Sequence, residues 1–361
     1  MNPTIPFSAY MSASLYDKQN GYYVNPHRVG TKGDFYTSVS VSKFFGGSIA
    51  SYILSLLENG DLSLPLHIAE VGADKGHLLG DIALFLDALG DNILQHCAFT
   101  TIEPLPPLAQ IQKDYFSSLP CSAPLHFATF ADFKSYPAPD ESTSLFVVAN
   151  ELFDSFPCEV INNGKILHIV QDSNMWRGIW QDIEQSNQSN LLHDILRHYI
   201  DSADIANFTQ MSGIIPLWQD FITSLTHCAR AYKHSYFLSF DYGDFAPATL
   251  KTNPRFYKSH QVENLESFLA QEGNFHTLYQ QADITYDVDF ILLDRLLRQA
   301  GFISVFCTSQ ARALIEQMRI LELLESFSTQ KGFSAYFREI HKIKTLLHTM
   351  GERFKSVCYK M

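Results

Sequence analysis

The stretch Ile68-Ala69-Glu70-Val71-Gly72-Ala73-Asp74-Lys75-Gly76-His77 constrains the fold more than any other part of the chain. Leu66, Ile68 and Val71 make an apolar run with little polar relief, as in a parallel strand buried on both faces. After the glycines, Leu78, Leu79, Ile82, Leu84, Phe85, Leu86 and Leu89 switch to helical spacing. The segment therefore predicts a strand, a tight turn and a helix. Glycines let the backbone approach a bound molecule, and the free N–H groups of a new helix favour polar or anionic groups. Glu103 ends the next strand-like run, Ala98 to Ile102, and is placed to accept hydrogen bonds from both ribose hydroxyls of a nucleoside. The same local pattern also serves as a plain packing turn.

The glycine spacing narrows the nucleoside. A dinucleotide fingerprint reads G-x-G-x-x-G, and its second glycine admits the pyrophosphate against bare backbone. Asp74 occupies that position, and a carboxylate repels a pyrophosphate. S-adenosylmethionine carries an ammonium and a sulfonium beside its carboxylate, so it tolerates a nearby acid better. A dinucleotide oxidoreductase stays open as an alternative that lacks this glycine.

From Leu66 the chain alternates strand and helix, the signature of a doubly wound α/β sheet. Pro104 to Phe116 predicts a helix, Leu125 to Phe127 a third strand and Ser144 to Ala149 a fourth. The fourth strand delivers Asn150-Glu151-Leu152-Phe153-Asp154 to the carboxyl end of the sheet, where open α/β folds hold ligands. Capping or turning the chain is the structural alternative for Asn150 and Asp154. Tyr236 to Gly243 forms a fifth strand, and Phe302 to Phe306 closes the sheet. Ahead of the sheet, residues 1–60 form an N-terminal helical cap. It contains the loop Gly30 to Ser38, whose glycines, aromatics and hydroxyls suit a lid, with Thr37 or Ser38 as helix cap in the plainer view. Residues 61–157 make the first part of the core and 158–232 an inserted substrate-side subdomain. In that insertion Asn163-Gly164 signals a hairpin, helices are expected over Leu191 to Ile205 and Leu217 to Tyr232, and His193 and His198 are expected to be solvated. Residues 233–325 complete the core, with Arg255, Tyr257 and His260 in a polar loop. Residues 326–361 form a C-terminal helical extension without a chemical motif.

Lys+Arg 26 against Asp+Glu 38 leave a formal net charge of -12, which argues against a nucleic-acid groove. The six cysteines include no C-x-x-C pair, and neither a disulfide framework nor a metal site is expected. No apolar run is long enough to insert in a membrane, and a cytoplasmic location is expected.

Several separated segments together resemble one family. They are Phe7 to Met11, Leu15 to Asp17, Gly21 to Tyr23, Gly33 to Ser38, Phe45-Gly46, Glu70 to Gly72 with Gly76, Asn150 to Asp154, Asp241 to Gly243, Arg255 to His260, and Asp283 to Thr285 with Val288 to Phe290. Their order and spacing resemble the MidA-type S-adenosylmethionine-dependent methyltransferases, which include the mitochondrial complex I assembly factor 7, a protein arginine methyltransferase. The chain departs from the family pattern at three places: Ala73-Asp74 in the glycine loop, Val39-Ser40 in place of Pro-Glu, and Asp287 in place of a histidine. The resemblance implies a class I, Rossmann-like methyltransferase fold with S-adenosyl-L-methionine as cofactor. It implies cofactor contacts from Glu70, Gly72, Asp74, Gly76, Glu103, Gly33, Asp34, Thr37 and Ser38. Acceptor chemistry falls to Glu151, Asp154 and Asn150, and the partner to a protein substrate such as a complex I subunit. A catalytically silent assembly chaperone on the same scaffold is the second alternative.

Overall fold

A computed structural model describes residues 3–24, 37–90, 92–136, 140, 142–182, 212–245, 254–331 and 333–361. Gly33 and Asp34, most of the expected lid, the helix expected over Leu191 to Ile205, His193 and His198 lie outside the described residues. The chain divides into two compact units. A core unit comprises Val29–Leu152, Thr223–Tyr242 and Ala300–Met361, and a second unit comprises Met1–Arg28, Phe153–Ile222 and Gly243–Gln299.

The sheet of the core unit contains β1 (Leu66–Val71), β2 (Cys97–Ile102), β3 (His126–Phe130), β4 (Ser144–Asn150), β5 (Ser235–Asp244, leaving the unit at Gly243), β6 (Ile303–Ser309) and β7 (Phe354–Lys360). Their order is β3-β2-β1-β4-β5-β7-β6. The first five run parallel, and β7 is antiparallel to both of its neighbours. The dinucleotide-binding order 3-2-1-4-5-6 has no such strand wedged between the fifth and the sixth. The sheet is that of a class I methyltransferase. Phe45, Ile49 and Ile53 of the helix Phe44–Glu58 recur every four residues. Together with Leu79, Ile82 and Leu86 of the helix His77–Leu89 they fill the core at 0% exposure. Each such side chain contributes about 1.5–3 kcal/mol on leaving water.

The last segment differs from expectation. The helices Ile320–Lys331 and Phe333–Lys344 are present, but the chain then returns to the sheet as β7. Val357, Cys358 and Tyr359 are fully buried there. A strand covered on both faces shows no alternation, and its flanking Lys355 and Lys360 read like the charged surface of the preceding helices.

The second unit is built on antiparallel pairing. Its larger sheet runs in the order Thr4–Pro6, Lys165–Asp172, Cys158–Asn162 and Ser212–Pro216, with Met175–Asp182 also on Lys165–Asp172. Asn163 at φ 48° and Gly164 at φ 73° make the expected hairpin turn. Arg255–Lys258, expected as loop, is instead the central strand of a three-stranded sheet between Gln261–Asn264 and Asp283–Thr285. Arg255 Nη2 pairs with Asp287 Oδ1 at 2.7 Å, which accounts for an acid at that departure from the family pattern.

Aromatic packing explains why these segments join. Tyr10 of the helix Phe7–Tyr16 lies 5.3 Å from Phe275, 5.8 Å from Tyr279 and 6.4 Å from Trp176, and its hydroxyl donates to Phe275 O at 2.9 Å. One ring thus ties together segments from residues 1–28, 153–222 and 243–299. The first 60 residues are accordingly not a single cap: Phe7–Tyr16 belongs to the second unit and Phe44–Glu58 to the core unit. Residues 243–299, assigned on sequence to the core, also belong to the second unit. Among the described residues no helix is long and apolar enough to cross a membrane, and no group of acids, histidines and cysteines is arranged to hold a metal ion.

Candidate active site

Beyond β1 the backbone takes positive φ at Gly72 (68°), Asp74 (44°) and Gly76 (82°). This repeated left-handed geometry is why glycine stands at two of these positions, and Asp tolerates it better than most residues. A Cβ on Gly72 would stand 3.0 Å from Leu152 Cδ1, so the glycine also admits the segment that follows β4. Gly76 is the N-cap of the helix His77–Leu89. Glu70, one residue from the end of β1, accepts the N–H of Leu79 on Oε2 at 3.0 Å and so fastens the first turn of that helix. Burial, aided by the negative charges of Asp74, Asp81 and Glu103, pushes the Glu70 carboxyl up to about 8.

Glu103 follows β2. Its Oε1 accepts from Leu105 N–H at 3.0 Å and its Oε2 from Gln112 Nε2 at 3.2 Å. Burial first, and Asp74 after it, raise the carboxyl to about 7 against those two bonds. Gln112 also donates Nε2 to Asp74 O at 2.8 Å, so one amide links the glycine turn to the acid of the neighbouring strand. Gln112 Oε1 is buried with no hydrogen-bond partner among the described residues. The sequence held one signal for Gln112: it is the polar member of the buried stripe Leu108, Gln112, Phe116 on the helix Pro106–Ser117.

At the end of β4, Asn150 Nδ2 donates to Glu151 Oε1 at 3.1 Å and leaves Oδ1 buried without a partner among the described residues. Glu151 is held at φ 52°, a costly conformation for a glutamate, by its N–H bond to Phe240 O at 2.8 Å. Its Oε1 receives a second donor, Ser38 N–H, at 3.1 Å, while Oε2 receives none among the described residues. Burial raises this carboxyl to about 7. Thr37 caps the short helix Ser38–Val41 through a capping box with Ser40. The departure from Pro-Glu therefore keeps the capping geometry, with a serine taking the usual glutamate's part.

The core unit thus brings together Glu70, Gly72, Asp74, Gly76 and Glu103 around the ends of β1 and β2, and Thr37, Ser38, Asn150 and Glu151 at the end of β4. Asp154 falls in the second unit, in the short turn Phe153–Ser155, where it is buried and its carbonyl accepts Tyr286 N–H at 3.1 Å.

Comparison with known proteins agrees with this architecture. Residues 48–307 match the family described as S-adenosyl-L-methionine-dependent methyltransferases. The chain is similar to the mitochondrial protein arginine methyltransferase NDUFAF7 homolog of Drosophila melanogaster, with 24% identity over 97% of this chain and 80% of that protein. It is equally similar to the mitochondrial protein arginine methyltransferase NDUFAF7 of Danio rerio, 24% identical over 97% of this chain and 82% of that one. A crystal structure from Burkholderia thailandensis bound to S-adenosyl-homocysteine shares the fold with a TM-score of 0.73 at 19% identity, covering 99% of this chain and 88% of that one. The sheet order, the glycine turn and a match across most of the chain lead to one assignment: this protein belongs to the S-adenosyl-L-methionine-dependent methyltransferase family.

Proposed function

We propose that the protein transfers the methyl group of S-adenosyl-L-methionine to an arginine side chain of a protein substrate. The observation that carries this reading is the pair of acceptor atoms at the end of β4, Glu151 Oε2 and Asn150 Oδ1, left without donors among the described residues. A guanidinium is always charged and offers only donors, in a planar fork, so it needs acceptors held in fixed positions. A half-buried carboxyl raised to about 7 gains from such a partner, because a cation favours its ionised form. Two similar proteins carry the name protein arginine methyltransferase, which supports the same substrate class. Within that class a respiratory complex I subunit is the first substrate to try, as the family resemblance implies.

The residues of the core unit fit the cofactor. Gln112 Oε1 is a buried acceptor with no donor among the described residues, Gly72 keeps side-chain bulk off the turn, and the acids Glu70, Asp74 and Glu103 suit a ligand bearing an ammonium and a sulfonium. Glu103 would hold the ribose hydroxyls, the Gly72–Gly76 turn would take the amino-acid portion, and Thr37 would add a hydroxyl beside it. When bound, S-adenosylmethionine supplies a methyl group on a sulfonium, a leaving group that needs no general acid. The protein's task is then mainly positioning: Glu151 and Asn150 would hold the guanidinium so that one nitrogen faces the methyl group, and the N–H proton that this nitrogen loses on methylation would pass to Glu151 Oε2 or to water, leaving the methylated guanidinium singly charged.

The test has two steps. Calorimetry should show binding of S-adenosylmethionine and S-adenosylhomocysteine and none of NADH. Label from methyl-labelled S-adenosylmethionine should then enter protein of the native cell, and mass spectrometry should find it on arginine. Label on another residue type would overturn the acceptor, and cofactor binding without any transfer would favour the silent chaperone.

A further inference from the structure

Gln310 is fully buried, although it opens a helical turn of only three residues, Gln310–Arg312, and lies beyond the matched family segment. Its amide is fixed at both ends. Nε2 donates to Leu346 O at 3.2 Å, so Oε1 faces the hydroxyl of Ser38, which donates to it at 3.1 Å. Ser38 is also fully buried, and its N–H is the one that reaches Glu151 Oε1 at 3.1 Å. Hydrogen bonds therefore run without a break from the Leu346 carbonyl through Gln310 and Ser38 to Glu151, all within the core unit.

This line matters because packing of Val39 and Val41 on the core places the segment, while hydrogen bonds aim the Ser38 N–H. The helix it opens, Ser38–Val41, has 4 residues, too few to be stable alone. The direction of its first N–H depends on its capping box and on the anchor that its hydroxyl finds. Ser38 also touches Met350 Sδ at 4.0 Å, a weak contact that cannot replace the amide. Glu151 in turn sits in a strained backbone conformation, which persists only where its surroundings over-determine it.

We propose that Gln310 is a positioning residue for methyl transfer: acting through Ser38, it keeps Glu151 Oε1 occupied and turns Oε2 toward the acceptor. The proposal rests on the role given to Glu151 above. Elements from three separate parts of the chain, the turn after Thr37, the end of β4 and the segment after β6, then set one carboxylate. Ser38 is thereby committed to this line, since its N–H and its O–H both bond inside the protein.

The Glu151 titration reads the line directly. The Ser38 and Asn150 hydrogen bonds lower its carboxyl against burial, and no charged side chain among the described residues enters that balance. The full-length protein would be labelled with carboxyl-13C glutamate, and the Glu151 signal assigned by its loss in Glu151→Gln. Ser38→Ala and Gln310→Met should each raise the Glu151 midpoint by about one pH unit, the size of one lost hydrogen bond. The double variant should raise it no further, because both changes cut the same line. Ser38→Thr keeps the hydroxyl and should keep the wild-type midpoint. An unmoved midpoint in folded Ser38→Ala, or shifts that add in the double variant, would overturn the proposal. If Gln310→Met does not fold, Ser38→Ala against Ser38→Thr still decides. The underlying role of Glu151 is tested apart, by transfer of methyl label to arginine in cell protein. Transfer that survives in Glu151→Gln sinks that role, whereas lost transfer with an unmoved midpoint in Ser38→Ala sinks the line through Gln310 alone.

Discussion

Single residues divide here by whether their chemistry shows in their type. Glu103 is an acid at a strand end, and its place after β2 follows from the apolar run before it. Its carboxylate is aimed by Leu105 N–H and Gln112 Nε2, so Glu103→Ala should weaken S-adenosylmethionine binding by roughly ten- to a hundredfold, the value of a charge-assisted hydrogen bond of about 1.5–3 kcal/mol. Calorimetry on the folded variant checks this, and unchanged affinity would remove Glu103 from the ribose. Glu151→Gln keeps shape and removes charge, so methyl transfer should fall while cofactor affinity stays within about twofold, a difference of less than 0.5 kcal/mol. Collapse of cofactor binding would move Glu151 into the cofactor's own contacts. Gln112 and Gln310 were not legible in the same way. A glutamine belongs to no short motif, and what makes these two matter is burial with specific partners, Asp74 and Glu103 for the Gln112 amide nitrogen and Leu346 and Ser38 for the two ends of Gln310, which only the folded chain displays.

Elements with a clear period were legible, and those defined by their partners were not. The alternation from Leu66 onward located the parallel strands within a few residues, because buried strands and amphipathic helices differ in spacing. Asn163-Gly164 located its hairpin for the same local reason. The three-stranded sheet around Arg255–Lys258 was missed because its short, partly polar strands become strands only by pairing with each other. β7 was missed because its neighbours β5 and β6 come from distant parts of the chain. Its position makes a firm prediction. Removing residues 353–361 strips the backbone partners from two strands and the fully buried Val357, Cys358 and Tyr359 from the core. At about 1.5–3 kcal/mol for each apolar side chain, before any hydrogen bond is counted, the loss rivals the net stability of about 5–15 kcal/mol expected of a domain. The truncated protein should show no cooperative thermal transition by circular dichroism. A surface extension could be removed at little cost, and a melt close to that of the full chain would show that β7 adds little to the core.

Over the whole molecule, buried acid outweighs buried base, and this gives stability an unusual dependence on pH. Burial is the leading cause that raises Glu70 to about 8 and Asp81, Glu103 and Glu151 to about 7 in the core unit, and Glu159 to about 7 in the second unit. In an unfolded chain such groups titrate near 4, so over the intervening range the folded state binds more protons. Their contribution is therefore fully present below about pH 4 and is lost as pH rises through 7 to 8. The formal net charge of -12 acts in the same direction, since ionising more carboxyls adds to the repulsion. The protein should melt several degrees higher at pH 6 than at pH 8.5, a difference that scanning calorimetry would read; a flat or reversed profile would mean that these carboxyls ionise in the folded state as freely as in water. The cofactor ought to offset this loss. S-adenosylmethionine brings an ammonium and a sulfonium toward Glu70, Asp74 and Glu103, which favours their ionised forms and lowers their pKa. Binding at pH 7 should therefore release protons, seen as a heat that varies with the ionisation enthalpy of the buffer. S-adenosylhomocysteine lacks the sulfonium charge and should release fewer. Glu103→Gln should reduce the release for both ligands, and an equal release by both in the unaltered protein would mean that the sulfonium lies out of reach of these acids.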